Sequence, residues 1–262
     1  MMPAINQTTG CSVFLWVLPS ADDLAEAVAG EWLDKVAAAR GRSRPYLVAL
    51  SGGRVAPTFF AAIVAQKRAR GISFDHLHFF WADERCVPPA DTESNFRMAN
   101  DNLFSPLNIS ASQIHRLKGE DTPESAAGDS SAELLSLAPV DAAGQPVLDL
   151  VLLGMGEDGH VASLFPGADD KVLNCSTPFL VVRHSPKPPP MRLSMSYSTI
   201  AAAGQVWVLI SGAGKDKALH DSMFLNCQTP LGRVMALHPG VRIFTDLTIS
   251  IGPSTPPFEI RT

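Results

Sequence analysis

The chain has 262 residues, of which 46% are hydrophobic and 18% charged, and a formal net charge of −5. That is enough for one large α/β domain or two small ones, and the charge gives no global reason to expect nucleic acid or an anionic membrane as partner. An anionic ligand would have to be attracted locally.

Cys11, Cys86, Cys175 and Cys227 are scattered without paired metal-ligand spacing, and fit free thiols in a reducing cytosol better than a disulfide framework. The opening MMPAINQTTG has no basic n-region, and the apolar run 13–18 is too short for a signal core. No run is long enough to span a bilayer. A soluble cytoplasmic protein is the expectation.

In chain order, 13–18 reads as a first strand. Residues 21–39 read as a helix, with Leu24, Val28, Trp32 and Val36 at helical spacing and Ser20 or Asp22 as N-cap. Residues 46–50 form a short apolar strand that runs into Ser51-Gly52-Gly53-Arg54, and beyond Pro57 residues 58–70 are helical. Strand, glycine loop and helix make a geometry that cradles phosphate, because glycine N–H groups and the helix N-terminus both point at the anion. Ser-Gly-Gly alone is also ordinary turn chemistry. Residues 76–81, HLHFFW, form an aromatic strand ending in Asp83, Glu84 and Arg85, and 93–104 is a helix with Phe96, Ala99 and Leu103 on its apolar face. A short strand over 113–117, an amphipathic helix over 123–137 and a linker over 138–146 follow. His76, His78 and His115 stand in no motif and are assigned structural or surface roles.

The stretch 148–167, LDLVLLGMGEDGHVASLFPG, is the centre of the chain. Leu148 to Leu153 is apolar apart from Asp149, which suits a strand buried on both faces in a parallel sheet. Gly154, Gly156 and Gly159 then turn the backbone sharply, and Glu157, Asp158 and His160 sit in that turn, where open α/β sheets bind ligands. The spacing also matches the dinucleotide fingerprint GxGxxG. A long helix and an acidic end to the next strand are needed for that reading, and Pro166-Gly167 and the loop-like Asp169-Asp170 supply neither. Beyond it, strands are expected over 179–182, 192–197, 206–210 and 241–245. The Pro-rich 185–190 is non-helical, Ser211 to Lys215 leads into a helix over 216–224, and the tail after Gly252 is expected to be loosely held.

The segment GxGxDGH followed by ASLFPG resembles the signature of the 6-phosphogluconolactonases, which are related to the glucosamine-6-phosphate deaminases. The deaminases resemble it only up to the histidine. Trp81-Ala82-Asp83-Glu84-Arg85, Glu93-Ser94-Asn95, the SPKPPP-x-R loop ending in Arg192, and Gly212 with Lys215 match further family elements, so the resemblance covers 49–215. Val55-Ala56 stands where the family's glycine loop has Thr-Pro.

The expected fold is a single domain over 1–262, with a mainly parallel sheet flanked by helices on both faces, Rossmann-like and of the NagB/lactonase type. The resemblance implies hydrolysis of 6-phospho-D-glucono-1,5-lactone to 6-phosphogluconate. His160 is then the general base near neutral pH, with Asp158 or Asp83 orienting it and Arg85 facing the lactone oxygens. Ser51, Gly52, Gly53, Gly156, Arg192 and Lys215 are expected to hold substrate or its phosphate, and Arg54 either adds a charge there or faces solvent. No GxSxG elbow offers a serine nucleophile. No metal, cofactor, nucleic acid or membrane is expected, and the state is a monomer, with a weak dimer as alternative. A sugar-phosphate isomerase/deaminase and a non-catalytic sugar-phosphate sensor are the competing functions.

Overall fold

The computed structural model describes residues 13–224, 228–248 and 258–261, with Phe224 and 258–261 as backbone alone. The opening segment with Cys11, the thiol of Cys227 and the tail over 252–257 lie outside the described residues. In order come β1 (Val13–Val17), α1 (Ala21–Ala39), β2 (Tyr46–Leu50), α2 (Ala56–Arg70), β3 (Leu77–Trp81) and β4 (Asp83–Arg85). Then follow α3 (Asn95–Ala99), α4 (Ser105–Leu107), α5 (Pro123–Leu137), β5 (Leu150–Gly154), α6 (Asp170–Leu173), β6 (Phe179–Val182) and β7 (Arg192–Met195). The chain ends with α7 (Tyr197–Ala202), β8 (Val206–Ile210), α8 (Asp216–Phe224), α9 (Pro230–Leu237), β9 (Arg242–Thr245) and β10 (Phe258–Arg261).

Seven strands form one sheet in the order β10-β1-β9-β8-β5-β2-β3, and every neighbouring pair is parallel. The central strands are apolar on both faces because helices cover both. Tyr46–Leu50 and Val206–Ile210 are buried at every position. α1 packs on α2, and α9 packs on both α7 and α8. Because the strand order runs outward one way from β2 to β3 and the other way from β5 to β8 and β9, the usual right-handed crossover puts the two groups on opposite faces. Ser20 caps α1 by accepting from the Asp23 N–H at 3.1 Å, and Leu24, Val28, Trp32 and Val36 are fully buried.

A second, antiparallel sheet has the order β4-β7-β6. Ala82 stitches it to the first: its N–H donates to the Leu50 carbonyl at 2.8 Å, and its carbonyl accepts from the Met195 N–H at 2.7 Å. The small sheet therefore stands over the C-terminal ends of β2 and β3.

Several local expectations are corrected. The helix expected over 93–104 starts at Asn95, capped by Ser94, and loosens into a π turn over Asn100–Phe104. The strand expected over 113–117 is a 3₁₀ turn (Ala111–Gln113) and a single bridge from Ile114 to Phe79. The strand from Arg192 stops at Met195, because Ser196 caps α7 through its hydroxyl. Asp169 caps the short α6 rather than sitting in a loop. Part of the tail is held: β10 pairs with β1 from Phe258 to Arg261.

Candidate active site

The strand order fixes where a ligand can sit. From β2 the chain moves outward to β3, while its neighbour β5 continues in the opposite direction to β8. A crevice opens at such a reversal, beyond the strands' C-terminal ends. Here it holds about 260 Å³, walled by the loops after β2, β5 and β8, by β4, and by the Pro-rich loop before β7.

Two glycines are required by close packing. A Cβ on Gly156 would lie 2.0 Å from Cε1 of His160, and one on Gly52 would lie 2.0 Å from Oδ1 of Asn95. The imidazole therefore lies flat against the turn after β5, with Phe165 on it at a centroid distance of 4.6 Å. His160 Nδ1 is 2.5 Å from Oδ1 of Asp158, and Lys187 Nζ is 3.6 Å from the same oxygen. Burial lowers the pKa of His160 below the usual histidine value, and the Asp158 carboxylate only partly opposes this. Burial is the largest influence on Asp158 and would raise it, but the hydrogen bonds and charge of His160 together with the Lys187 ammonium outweigh it and leave the carboxyl below its usual range. Near neutral pH the imidazole is uncharged, with Nδ1–H donating to Asp158 and Nε2 left as an acceptor.

The acids of β4 differ. Glu84 is buried and its carboxylate accepts from the N–H groups of Arg85, Asn95 and Phe96 and the Ser94 hydroxyl at 2.7–3.0 Å, so it staples α3 to β4. Burial raises its pKa against those donors. Asp83 lines the crevice; its Oδ2 accepts from Ser163 Oγ at 2.8 Å and its carbonyl from Asn95 Nδ2 at 2.9 Å.

The cations fall into two groups. Arg85 and Arg192 are direct partners across the β4–β7 ladder, an arrangement of like charges that opposes the pairing. Glu93 relieves Arg85, its carbonyl accepting at 2.6 Å and its carboxylate at 3.4 Å. Arg192, 4% exposed, has no carboxylate partner among the described residues and donates to the carbonyls of Lys187, Pro188 and Pro189. Burial and Arg85 lower its pKa. Across the crevice, Lys215 is 6% exposed and without an ion pair among the described residues. Burial, with Arg54 adding to it, lowers its ammonium to about 8. Arg54 itself is exposed and bonded to Glu157 at 2.6 Å, which bridges the β2 and β5 loops. Val55, itself on the crevice wall, gives α2 no side-chain cap, so no side chain at that position takes up the first N–H groups of the helix.

The structure thus brings Ser51, Gly52, Gly53, Arg54, Asp83, Arg85, Gly156, His160, Arg192 and Lys215 to one crevice, with Asp158 immediately behind His160. Sequence reasoning missed Lys187 and Asn95 on the wall and Ser163 behind it. The first two lie inside motifs already noted, one in the Pro-rich loop and one in Glu93-Ser94-Asn95. Among the described residues no group of three His, Cys, Asp or Glu is placed to hold a metal ion, and no helix is long and apolar enough to cross a membrane.

Fold and crevice together define an α/β protein with a cation-walled crevice and a carboxylate-bound histidine at its switch point. The family model described as glucosamine-6-phosphate isomerases/6-phosphogluconolactonase matches residues 19–240, and the chain belongs to that family. It is 34% identical over 225 residues to the 6-phosphogluconolactonase of Streptomyces coelicolor, covering 84% of each chain. It is 36% identical over 182 residues to a probable chloroplastic 6-phosphogluconolactonase of rice, which is 67% of this chain and 55% of the rice protein. The match thus spans about half the length of that relative. The solved 6-phosphogluconolactonase of Trypanosoma brucei superposes with a TM-score of 0.77 at 27% identity, covering 90% of this chain and 96% of that one.

Proposed function

We propose that the chain hydrolyses 6-phospho-D-glucono-1,5-lactone to 6-phosphogluconate. The observation that carries the reading is a neutral His160, tethered through Nδ1 to Asp158, facing a crevice that also holds buried Arg192 and Lys215, neither with a carboxylate partner among the described residues. Nε2 removes a proton from water as the oxygen attacks C1, and Asp158 stabilises the imidazolium formed. Arg85 supplies positive charge for the oxyanion. When the C1–O5 bond breaks, the imidazolium returns its proton to the leaving ring oxygen. Asp83 orients the ligand, and Arg192, Lys215 and the Ser51–Arg54 loop hold the phosphate. Free Cys86 and Cys175 support cytosolic residence.

The test is turnover of freshly made lactone against a no-enzyme control, since the lactone also opens spontaneously. Acid release at the uncatalysed rate would remove the reading. Ammonia release from glucosamine 6-phosphate would replace it with the deaminase.

A further inference from the structure

Ser163 carries a hydroxyl that the reaction just described leaves unused. It is 0% exposed and lies behind the crevice wall rather than on it. Its N–H donates to Ser194 Oγ at 3.2 Å, and the Ser194 hydroxyl donates to the Met195 carbonyl at 3.0 Å. Ser194 is also 0% exposed, so this chain is closed to solvent. The hydroxyl proton of Ser163 goes to Oδ2 of Asp83 at 2.8 Å.

Asp83 depends on that proton in a way its neighbour does not. Glu84 has four donors, three of them backbone, and loss of one leaves the others. The other side-chain donor to the Asp83 carboxylate is Asn95 Nδ2, at 3.4 Å from Oδ1 and better placed on the Asp83 carbonyl at 2.9 Å. That is the edge of hydrogen-bonding distance. A carboxylate 5% exposed, left with no short donor, turns until it finds another. Among the cations of the crevice, Arg192 already feels the Asp83 charge, and Arg85, two residues further along β4, opposes Arg192 across the ladder.

We propose that Ser163 is a positioning residue: it pins the plane of the Asp83 carboxylate, so that Asp83 presents one fixed acceptor to a hydroxyl of the bound sugar phosphate and stays off the crevice arginines. Without this hydroxyl the carboxylate swings onto a cation, and both the acceptor and the positive charge are lost to the ligand. The proposal rests on the lactonase reading for its substrate class.

The test is a double-mutant cycle of Ser163→Ala and Asp83→Asn. In the wild-type background Ser163→Ala lowers kcat/KM roughly 10-fold, through a raised KM as well as a lowered kcat, the size expected for a hydrogen bond to a charged group. In the Asp83→Asn background the same change costs less than about 2-fold, because what it positions is already altered. Ser163→Cys, of similar volume and with a weaker donor, falls between serine and alanine and serves if the alanine variant does not fold. Equal losses in both backgrounds, or full activity in Ser163→Ala, overturn the proposal. The same cycle read in 6-phosphogluconate binding by calorimetry needs no turnover. A chain that binds this acid without opening the lactone would end the functional reading and still decide the role of Ser163.

Discussion

His160 and His115 each hold a carboxylate through Nδ1, at 2.5 Å for Asp158 and 2.6 Å for Glu133. The pairs differ at the other nitrogen. Nε2 of His115 meets His78 Nδ1 at 2.7 Å, and its ring is stacked between His78 and Phe80. It joins α5 to the edge of the large sheet and has no free lone pair to offer. His160 lies on glycine, with Nε2 toward a crevice of cations. A histidine–carboxylate pair becomes a candidate base only when its second nitrogen is left open where a ligand can reach.

Four experiments sharpen or break this contrast. His160→Ala should lower kcat by roughly 10²–10⁴-fold, and His115→Ala should leave it within about 2-fold. Equal losses would erase the distinction. Next in size are the anchors. Arg192→Ala and Lys215→Ala should each raise KM by roughly 10- to 100-fold, more than they lower kcat, because a phosphate that does not react is held alike in substrate and transition state. Unchanged KM in both, without competition by inorganic phosphate, would remove the anchor.

A pH profile of kcat/KM separates the two groups by sign. In the proposed mechanism His160 acts unprotonated, and its pKa lies below the usual histidine value, so activity should fall as pH drops through a point below about 6.5. The proposed phosphate anchor needs Lys215 protonated, so activity should also fall as pH rises through about 8. Lys187→Met should move the acid limb upward, since that ammonium helps keep His160 low, and Lys215→Arg should flatten the basic limb. Limbs that ignore both variants would refute the assignment.

The smallest effect is on stability. Removing His115 leaves Glu133 and His78 unpaired and should cost about 1 kcal/mol, or a Tm lower by about 2–4 °C. Burial lowers the pKa of His78, with His115 adding to it, so the unfolded chain takes the proton first. The wild type should therefore lose Tm as pH falls below about 6.5, with a smaller loss in His78→Gln.

Legibility followed burial. Tyr46–Leu50, Phe179–Val182, Val206–Ile210 and the helices Ala21–Ala39 and Pro123–Leu137 were readable to the residue, because a continuous apolar run or stripe has one solution in a covered sheet. β4 was not, since Asp83-Glu84-Arg85 has the composition of a turn; it pairs as a strand because its carboxylates find donors in α3 and Ser163. α9 was missed, being eight residues opened by Pro230 with no long stripe. Motif matching gathered the crevice residues, which local chemistry could not have done, for they come from five separate segments. Ser163 sat inside the best motif and stayed silent, because its partner is 80 positions away.

The opposed arginines of β4 and β7 also bear on handling. Any anion that settles between Arg85 and Arg192 removes a repulsion built into the ladder and binds only the folded chain. On the anchor proposed above, inorganic phosphate should stabilise the fold as its concentration rises, by about 2.7 kcal/mol at a hundred times Kd, with the melting temperature climbing accordingly. A melting temperature that does not move between phosphate and an anion-free buffer would then count against a phosphate held by these arginines.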